Sequence, residues 1–408
     1  MGFKRAEIVN ICDRVILYSI YAVLFFLPIS KALIETFSYI AIAFFIIKKS
    51  IEKKDIAIGY GFSSAIIAYV VICLFSVFIS VNPAISIRSF LGKVMQDVSF
   101  FLVVIDTLNS ERRLKNAMYI LFFSSFVLGI DGIYQHFTSK EFIRNRLAAF
   151  TNRISASFLT PNDFGCYLVT VIPFTISIFF TKFPFKFVRF IITTLFLLLF
   201  LCLLLTVSRG AWFGFMASAL FISIWLPQLI LFVLFLGILI AVSLSFLPPF
   251  VKERLTNLFF FFDKSGVDRK LIWEAAWKMF ISRPWLGLGL GTFMFNFEKF
   301  VVKGYLYGAP YAHNCYLQMA SEIGILGLVS FLSILVYFFY YGLMALSVRQ
   351  RKFSWYVLLG SLAAVLSYCV QITVDTFLYS VDLGLLFWLI LGIGVAAAKI
   401  VSDRQVAC

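Results

Sequence analysis

Long apolar runs recur along almost the whole chain, and they constrain its fold more than any other feature. A transmembrane helix needs about 20 consecutive apolar residues, with a usual range of about 17–25. We predict about twelve such helices, over residues 15–30, 33–47, 56–80, 85–105, 114–135, 162–180, 187–207, 211–226, 228–247, 323–346, 355–375 and 381–399. The sequence therefore predicts an all-α membrane protein in which residues 1–408 form a single polytopic membrane domain.

The composition and the charge agree with this fold class. Of the 408 residues, 62% are hydrophobic and only 13% are charged, whereas a soluble domain is about half apolar and about a quarter charged. The formal net charge of +15 is spread between the apolar runs and forms no basic domain. We therefore expect membrane lipids around the protein and no nucleic-acid partner.

The first apolar run is preceded by Lys4, Arg5 and Arg14, as in a secretory signal peptide. A signal peptide ends at a cleavage site made of small residues, and no such site follows this run. We therefore interpret the run as a retained first span.

Basic residues predict the orientation of the spans, because cytoplasmic connections carry an excess of Lys and Arg. With the N-terminus inside, every inner connection is basic except a very short one near Pro227. The short outer connections near Asn82, Ser208 and Tyr379 are nearly free of Lys and Arg. Arg209 is the exception. This pattern places both termini in the cytoplasm.

Two longer outer segments carry sequence features of their own. Residues 136–161 contain four basic side chains, and residues 248–322 form a large loop between spans 9 and 10. In that loop, residues 268–282 have the pattern of a helix that ends before Pro284, since the residue preceding a proline disfavours helical backbone. We expect this loop to form a small helical cap on the membrane.

The predicted span 85–105 is unusually polar, because it contains Arg88, Lys93 and Asp97. Lys93 and Asp97 are four residues apart, so we predict that they pair on one face of the helix. Charged residues inside a span are rare and usually mark a functional region.

His313 is the first candidate site residue. The chain has two histidines, His136 and His313, and both are predicted outside the membrane or at its outer edge. A neutral imidazole is suited to accept a proton near pH 7. The alternative is a histidine at the membrane interface that only forms hydrogen bonds.

Three outer arginines form the second group of candidates. Arg209 lies between two apolar runs with almost no loop, Arg269 begins the predicted loop helix, and Arg153 lies in the first outer segment. The planar guanidinium group suits the oxygens of phosphate and diphosphate. The alternatives are snorkelling of Arg209, a cation–π contact between Arg269 and Trp273, and solvent exposure of Arg153.

Other kinds of site have little support in the sequence. Gly287-Leu-Gly-Leu-Gly291 resembles a nucleotide-binding loop only superficially, because no βαβ unit surrounds it. The sequence contains no CxxC pair, no HExxH motif and no carboxylate cluster. We therefore predict no metal and no other cofactor.

Several motifs resemble those of the O-antigen ligase and polymerase superfamily. The matching segments are 158–162, 208–212, 269–273, 283–293 and 312–328, the last of which contains His313-Asn314. The plan of about twelve spans, with one large outer loop before the tenth, also agrees. The resemblance therefore covers most of the chain.

The resemblance implies a GT-C-type glycosyltransferase of the bacterial inner membrane, with its active site and the loop 248–322 on the periplasmic side. The implied donor is a glycan linked to undecaprenyl diphosphate, and the implied reaction inverts the anomeric centre without a metal. Carried over by motif, His313 is the catalytic base, Arg209 and Arg269 bind the diphosphate, and Arg153 is a further candidate for that role.

The sequence leaves four functions open. An O-antigen ligase, the function that we favour, transfers the glycan to lipid A-core. An O-antigen polymerase transfers it to another lipid-linked glycan, and a protein O-oligosaccharyltransferase to a Ser or Thr hydroxyl. A non-enzymatic transporter of lipid-linked glycans would favour charges near the membrane midplane, as with Lys93 and Asp97, but most unusual charges lie on the outer side.

Overall fold

A computed structural model describes residues 2–53, 60–150, 152–182, 185–230, 264–301, 305, 311–348 and 351–402. Its α-helices are α1 (Gly2–Phe26), α2 (Lys31–Glu52), α3 (Tyr60–Phe78), α4 (Pro83–Ser89), α5 (Gln96–Thr107), α6 (Glu111–Thr138), α7 (Pro161–Phe179), α8 (Lys186–Thr206), α9 (Arg209–Trp225), α10 (Lys264–Ser282), α11 (Phe293–Phe300), α12 (Cys315–Ser347), α13 (Phe353–Gln371) and α14 (Val381–Ser402). Across these described ranges there is no β-strand, so the predicted all-α fold class is confirmed.

Eight of the described helices are long and apolar enough to cross a membrane, namely α1, α3, α6, α7, α8, α12, α13 and α14. The predicted spans 33–47 and 211–226 correspond to α2 and α9, and the predicted span 85–105 corresponds to α4 and α5 together. The predicted span 228–247 lies almost entirely within residues 231–263, outside the described residues. The total of about twelve spans therefore stays a prediction.

The connections between helices gather at two opposite ends of the bundle. At one end, Arg144 Nε donates to the Ile29 carbonyl at 3.0 Å, and Arg153 Nε donates to the Thr206 carbonyl at 2.8 Å. The predicted topology assigns these connections to the outer side, so we call this the outer end. At the inner end, Ser354 Oγ donates to Glu111 at 3.0 Å.

Charged side chains join four helices at the inner end. Asp13 in α1 accepts a hydrogen bond from Lys48 Nζ of α2 at 2.8 Å and pairs with Arg113 of α6. Asp106 in α5 pairs with Lys49 Nζ of α2 at 2.6 Å. These basic residues also contribute to the charge asymmetry that predicts the orientation, so they have a packing role as well as a topological one.

Helices α7, α13 and α14 form the centre of the bundle, since most of their residues are buried. Small side chains let neighbouring helices come close to this centre. A Cβ atom added to Gly214 of α9 would lie 2.9 Å from the Ser367 carbonyl of α13. Helix α9 therefore packs directly against the centre, which fixes the outer end of α9 beside that of α13.

The predicted span 85–105 contains a π-helical segment, Phe90–Met95, between α4 and α5. Lys93 lies in this segment, and its Nζ donates to the Tyr379 carbonyl at 2.9 Å. Lys93 and Asp97, both among the described residues, do not form an ion pair, so the predicted pairing is wrong. The wider turn directs the ammonium group toward the connection between α13 and α14 instead.

Helix α10 is the predicted helix of the large loop, and it ends at Ser282 as the following Arg283-Pro284 predicts. Its buried face, formed by residues such as Ile272 and Met279, packs on Leu288. This packing makes a small satellite core at the outer end, which holds Arg269 close to the bundle.

The glycines of the Gly287–Gly291 motif let this loop pack closely on its neighbours, with Gly287 against Glu322 of α12 and Gly289 and Gly291 against Ser80 and Ser89. Gly287 has a φ of +70°, and a Cβ atom there would lie 2.3 Å from the Glu322 carbonyl carbon. Gly291 N and Phe293 N donate to the Glu322 carboxylate at 2.8 and 3.1 Å. Close backbone approach therefore explains why glycine occupies these positions.

The tenth predicted span begins earlier in the structure than in the sequence-based prediction. Helix α12 begins at Cys315, eight residues before the predicted start at residue 323, with a non-helical break at Gly324. Residues 315–322, which the prediction assigned to the loop 248–322, are thus helical. Hydrophobic periodicity did not separate these residues from the loop, because they include the polar Gln318 and Glu322.

Candidate active site

A cavity of about 150 Å³ opens at the outer end, between the ends of α7, α9, α10 and α13. It is lined by Arg153, Asn162, Val207, Ser208, Arg209, Gly210, Arg269, Gln371, Val374, Asp375 and Phe377. The fold therefore brings together the three arginines that the sequence singled out, although they lie in separate segments of the chain. We call this space the arginine cavity.

Arg209 is presented to the cavity by a tight turn. Helix α8 ends at Thr206, and Val207 takes a left-handed conformation with a φ of +49° before α9 begins at Arg209. Ser208 precedes α9 and provides no side-chain cap. The first turn of α9 therefore adds the partial positive charge of a helix N-terminus to the guanidinium group, and both favour an anion.

Arg269 reaches the cavity from α10, the helix of the large loop. Its Nη2 lies 4.0 Å from Asp375 Oδ2, and its side chain is only 22% exposed. Since the satellite core holds α10 in place, the guanidinium group is directed at the bundle rather than at solvent. Among the described residues, no cation–π contact joins Arg269 to Trp273, so this alternative has no support in the structure.

Arg153 is engaged by the protein itself. Its Nε donates to the Thr206 carbonyl at 2.8 Å, and its Nη2 donates to Asn162 Oδ1 at 3.0 Å. These bonds tie the outer segment before α7 to the end of α8. Arg153 therefore shapes the cavity as well as adding charge to it.

His313 lies directly before α12 and is fixed on both sides. Asn314 is the N-cap of α12 and accepts a hydrogen bond from Leu317 N at 3.0 Å, while Cys315 N donates to the Ile372 carbonyl at 2.9 Å. His313 itself has a φ of +47°. The His-Asn motif thus places the imidazole at a left-handed corner, with Asn314 providing the cap that starts the helix.

Asp375 connects His313 to the arginine cavity. Its Oδ1 lies 3.1 Å from His313 Nδ1, and its Oδ2 accepts a hydrogen bond from Asn162 Nδ2 at 3.2 Å and faces Arg269. Thr376 N donates to the same carboxylate at 3.0 Å. The carboxylate therefore contacts both kinds of residue that the motifs assign to the reaction.

The charge state of Asp375 follows from these contacts. Burial raises the pKa of this carboxyl. Its other contacts outweigh burial and lower the pKa from the ordinary value, and they are the hydrogen bond and charge of His313, the charge of Arg269 and the Thr376 N–H. At neutral pH the group is a carboxylate, which can only accept hydrogen bonds. His313 Nδ1 must then carry the proton, and Nε2 is the nitrogen with a lone pair.

Sequence reasoning did not find Asp375. The residue closes the predicted span 355–375 and lies 62 positions after its partner His313. The only sequence signal for Asp375 was an acidic residue in a short outer connection without Lys or Arg. Such a residue at the end of a span is usually explained by its place at the membrane interface. Only the tertiary fold distinguishes the two cases.

His136 is separate from this cluster. It lies in the last turn of α6 with an exposed side chain, next to Phe137. Its position makes it a matched control for the role of His313.

The fold and the site define an all-α integral membrane protein with an arginine-lined cavity and a histidine–aspartate pair at one end. Residues 194–332 match a family model described as O-antigen ligase. The match confirms the resemblance to the O-antigen ligase and polymerase superfamily that the motifs predict, and it supports a membrane enzyme of ligase or polymerase type. A comparison with curated proteins gives no match. Arg209, Arg269 and His313 lie inside the matched range, whereas Arg153 and Asp375 lie outside it.

Proposed function

We propose that the protein is an O-antigen ligase-like glycosyltransferase of the bacterial inner membrane. It moves a glycan from undecaprenyl diphosphate to a sugar hydroxyl of lipid A-core on the periplasmic face. The observation that carries the proposal is the double contact of Asp375, which pairs with His313 through one oxygen and faces Arg269 with the other. A proposed base and an anion-binding group therefore lie on either side of the same carboxylate.

The arginine cavity is the proposed site of the donor diphosphate. Arg209, Arg269 and the first turn of α9 all favour negative charge at the same place. In the reaction, charge grows on the leaving diphosphate as the glycosidic bond breaks, and preorganised cationic groups stabilise that growing charge. Arg153 contributes charge and holds Asn162 in position.

The proposed base is His313. Its Nε2 takes the proton of the acceptor hydroxyl while the hydroxyl oxygen attacks the anomeric carbon of the donor sugar. The bond from that carbon to the diphosphate oxygen breaks on the opposite face, so the configuration inverts and undecaprenyl diphosphate leaves with the electron pair. Asp375 stabilises the imidazolium that forms, through its hydrogen bond to Nδ1.

The arginine cavity contains positive side chains and one negative side chain, Asp375. This balance suits a site that must bind and release its ligand. Asp375 offsets part of the positive charge of Arg269 and Arg209 while the site is empty. When a diphosphate enters, the arginines gain two phosphate groups as partners, and Asp375 keeps His313. Asp375 therefore supports His313 as the base and leaves the diphosphate site open to the donor.

The acceptor distinguishes the ligase from the two other transferases. A polymerase or a protein O-oligosaccharyltransferase would use the same base and the same diphosphate site. The transporter rests on Lys93 and Asp97, and Lys93 is bound to a backbone carbonyl near the site. That contact gives the charge a role in holding the fold, so we favour the transferase over the transporter.

Chemical analysis of a deletion strain tests the proposed acceptor. Mass spectrometry should show lipid A-core without polymeric glycan, together with accumulated lipid-linked glycan of full length. Shortened lipid-linked glycan would identify a polymerase, and loss of glycan from proteins would identify a protein transferase. Purified protein in proteoliposomes should restore transfer from undecaprenyl-diphosphate-linked glycan to lipid A-core, and no transfer to any of the three acceptors would contradict the enzyme proposal.

A further inference from the structure

The connection between α13 and α14, residues 372–380, is a wall between two cavities. On one side, Val374, Asp375 and Phe377 line the arginine cavity. On the other side, Tyr379 lines a second cavity of about 50 Å³, together with Lys93 of the π-helical segment. A displacement of this wall therefore moves the carboxylate that holds His313.

Lys93 holds the wall from the side opposite to the proposed reaction. Its Nζ donates to the Tyr379 carbonyl at 2.9 Å and lies 5.4 Å from the centre of the Tyr379 ring. The Tyr379 carbonyl belongs to the 3-10 helix Phe377–Tyr379 and receives this hydrogen bond beside the second cavity. The lysine thus satisfies a backbone group four residues after Asp375.

The chain places this charge in the predicted span despite its cost. An ionised lysine inside a span is unfavourable, so it is retained only where it has a partner. Asp97 lies one turn further along and lines the same cavity, but the partner of the ammonium is the Tyr379 carbonyl. The π-helical segment widens the helix at Lys93, and such segments are frequent at functional sites.

The wall also touches the segment that carries His313. The Tyr379 ring lies 6.3 Å from the ring of Tyr311, two residues before His313. Cys315 Sγ, two residues after it, donates to the Asp375 carbonyl at 3.4 Å. His313 and Asp375 are therefore positioned by the same wall.

We propose that Lys93 is a positioning residue for the transfer reaction, which acts through the Tyr379 carbonyl to set the Asp375–His313 pair. The inference rests on the proposed function, since it concerns the same base. Lys93 touches no substrate in this account. Its contribution is the placement of the wall, and misplacement of reacting groups by about 1 Å lowers rates by about 10²-fold.

The test compares Lys93→Met with Lys93→Arg in proteoliposomes that contain undecaprenyl-diphosphate-linked glycan and lipid A-core. Lys93→Met removes the donor and should lower kcat at least about tenfold, with the KM for the donor unchanged. Lys93→Arg retains an N–H donor and should recover part of kcat. Arg88→Met is the matched control, because it removes a positive charge from an exposed side chain of the neighbouring α4 and should transfer at the wild-type rate.

A double-mutant cycle with Asp375→Asn separates positioning from general stability. If Lys93 acts through Asp375, then adding Lys93→Met to Asp375→Asn should lower kcat by less than about twofold, because coupled residues are not additive. A full additional tenfold loss, or a wild-type rate for Lys93→Met, would overturn the inference. If Lys93→Met does not accumulate, Lys93→Ala, which also removes the donor to the Tyr379 carbonyl, takes its place in the cycle and in both comparisons.

The outcomes also separate this inference from the proposed function. Wild-type transfer by His313→Gln and Asp375→Asn would refute the assigned base, whatever Lys93 does. Slow transfer by those two variants with normal transfer by Lys93→Met would refute the positioning role alone.

Discussion

At the scale of single residues, the chemistry depends on how three side chains share one carboxylate. Asp375 holds the Nδ1 proton of His313, faces Arg269 and accepts from Asn162. His313, Arg209 and Arg269 could be found in the sequence because they stand in short local motifs. Asp375 could not, because its role exists only when residues far apart in the chain meet.

Substitution of the diphosphate ligands gives the first prediction. Arg209→Ala and Arg269→Ala should each lower transfer by about 10²–10³-fold, the usual effect of losing one preorganised donor for a developing anion. Lysine at either position should restore little, because a point charge does not reproduce a planar two-pronged contact. Transfer is measured in vitro on preparations with equal membrane insertion, and full activity of both alanine variants would contradict the clamp.

Arg153→Ala serves as a contrast to these two variants. Because Arg153 bonds to Thr206 and Asn162, its loss should lower the thermal unfolding midpoint as well as transfer. The Arg269 variant should lower transfer with a smaller change in that midpoint.

The pH dependence of transfer gives the second prediction. The pKa of Asp375 lies below 3.8, so this group stays charged between pH 5 and pH 8 and cannot cause a loss of rate there. Protonation of an imidazole removes the lone pair that accepts a proton, so a histidine base predicts a rate that falls at low pH. In Asp375→Asn the imidazolium that forms during transfer loses a stabilising charge, so the rate should drop across the whole pH range. An Asp375→Asn profile that matches the wild-type profile would show that the pair has no role in the base.

At the scale of elements, close backbone contact explains motifs that periodicity does not. Gly324 combines a φ of +66° with a ψ of −172° inside α12, a region that only glycine adopts readily. A Cβ atom there would lie 2.2 Å from the Trp285 carbonyl oxygen. Residues 283–291 and the start of α12 are therefore one packed unit, which the sequence presents as a loop and a span.

Gly324→Ala gives the third prediction. The substitution should destabilise the outer end by about 1–3 kcal/mol through backbone strain alone, and the clash with Trp285 adds to this. We expect a lower unfolding midpoint in detergent and slower transfer, because Arg283–Gly291 supports the segment before His313. Gly92→Ala is the matched control, since a Cβ atom at Gly92 meets nothing within 4 Å, and equal midpoints for the two variants would contradict the packing account.

The π-helical segment shows a second limit of sequence reasoning at this scale. The spacing of Lys93 and Asp97 predicts an i,i+4 pair on a regular α-helix, but the helix between Phe90 and Met95 is wider. Spacing arguments hold only where the helix is regular. The actual partner of Lys93 is a backbone carbonyl 286 residues away, and no local pattern encodes it.

At the scale of the whole molecule, the sequence predicts the class well because lipid imposes a strong and simple constraint. Apolar runs of sufficient length become helices, and eleven of the predicted spans coincide with described helices or helix pairs. The ends of the helices are less predictable, since polar residues such as Gln318 and Glu322 extend α12 beyond its apolar part. The arginine cavity arises only when the outer ends of four helices meet.

Topology gives the fourth prediction. Reporter fusions at Lys53, Arg113 and Arg351 should be cytoplasmic, and a fusion at Lys264 should be periplasmic, because basic residues mark the cytoplasmic side. The arginine cavity then opens to the periplasm, where the proposed acceptor is found. A cytoplasmic signal at Lys264 would reverse the orientation and place the cavity on the wrong face.

The most direct measurement of the central claim is glycan transfer by His313→Gln, with donor binding measured on the same preparation. Glutamine keeps polarity and hydrogen bonding but cannot take a proton as a base, so transfer should fall by about 10²–10⁴-fold while donor binding stays near the wild-type level. His136→Ala is the internal control and should retain most of its activity. Transfer by His313→Gln at the wild-type rate would contradict the account, because His313 would then not be the base.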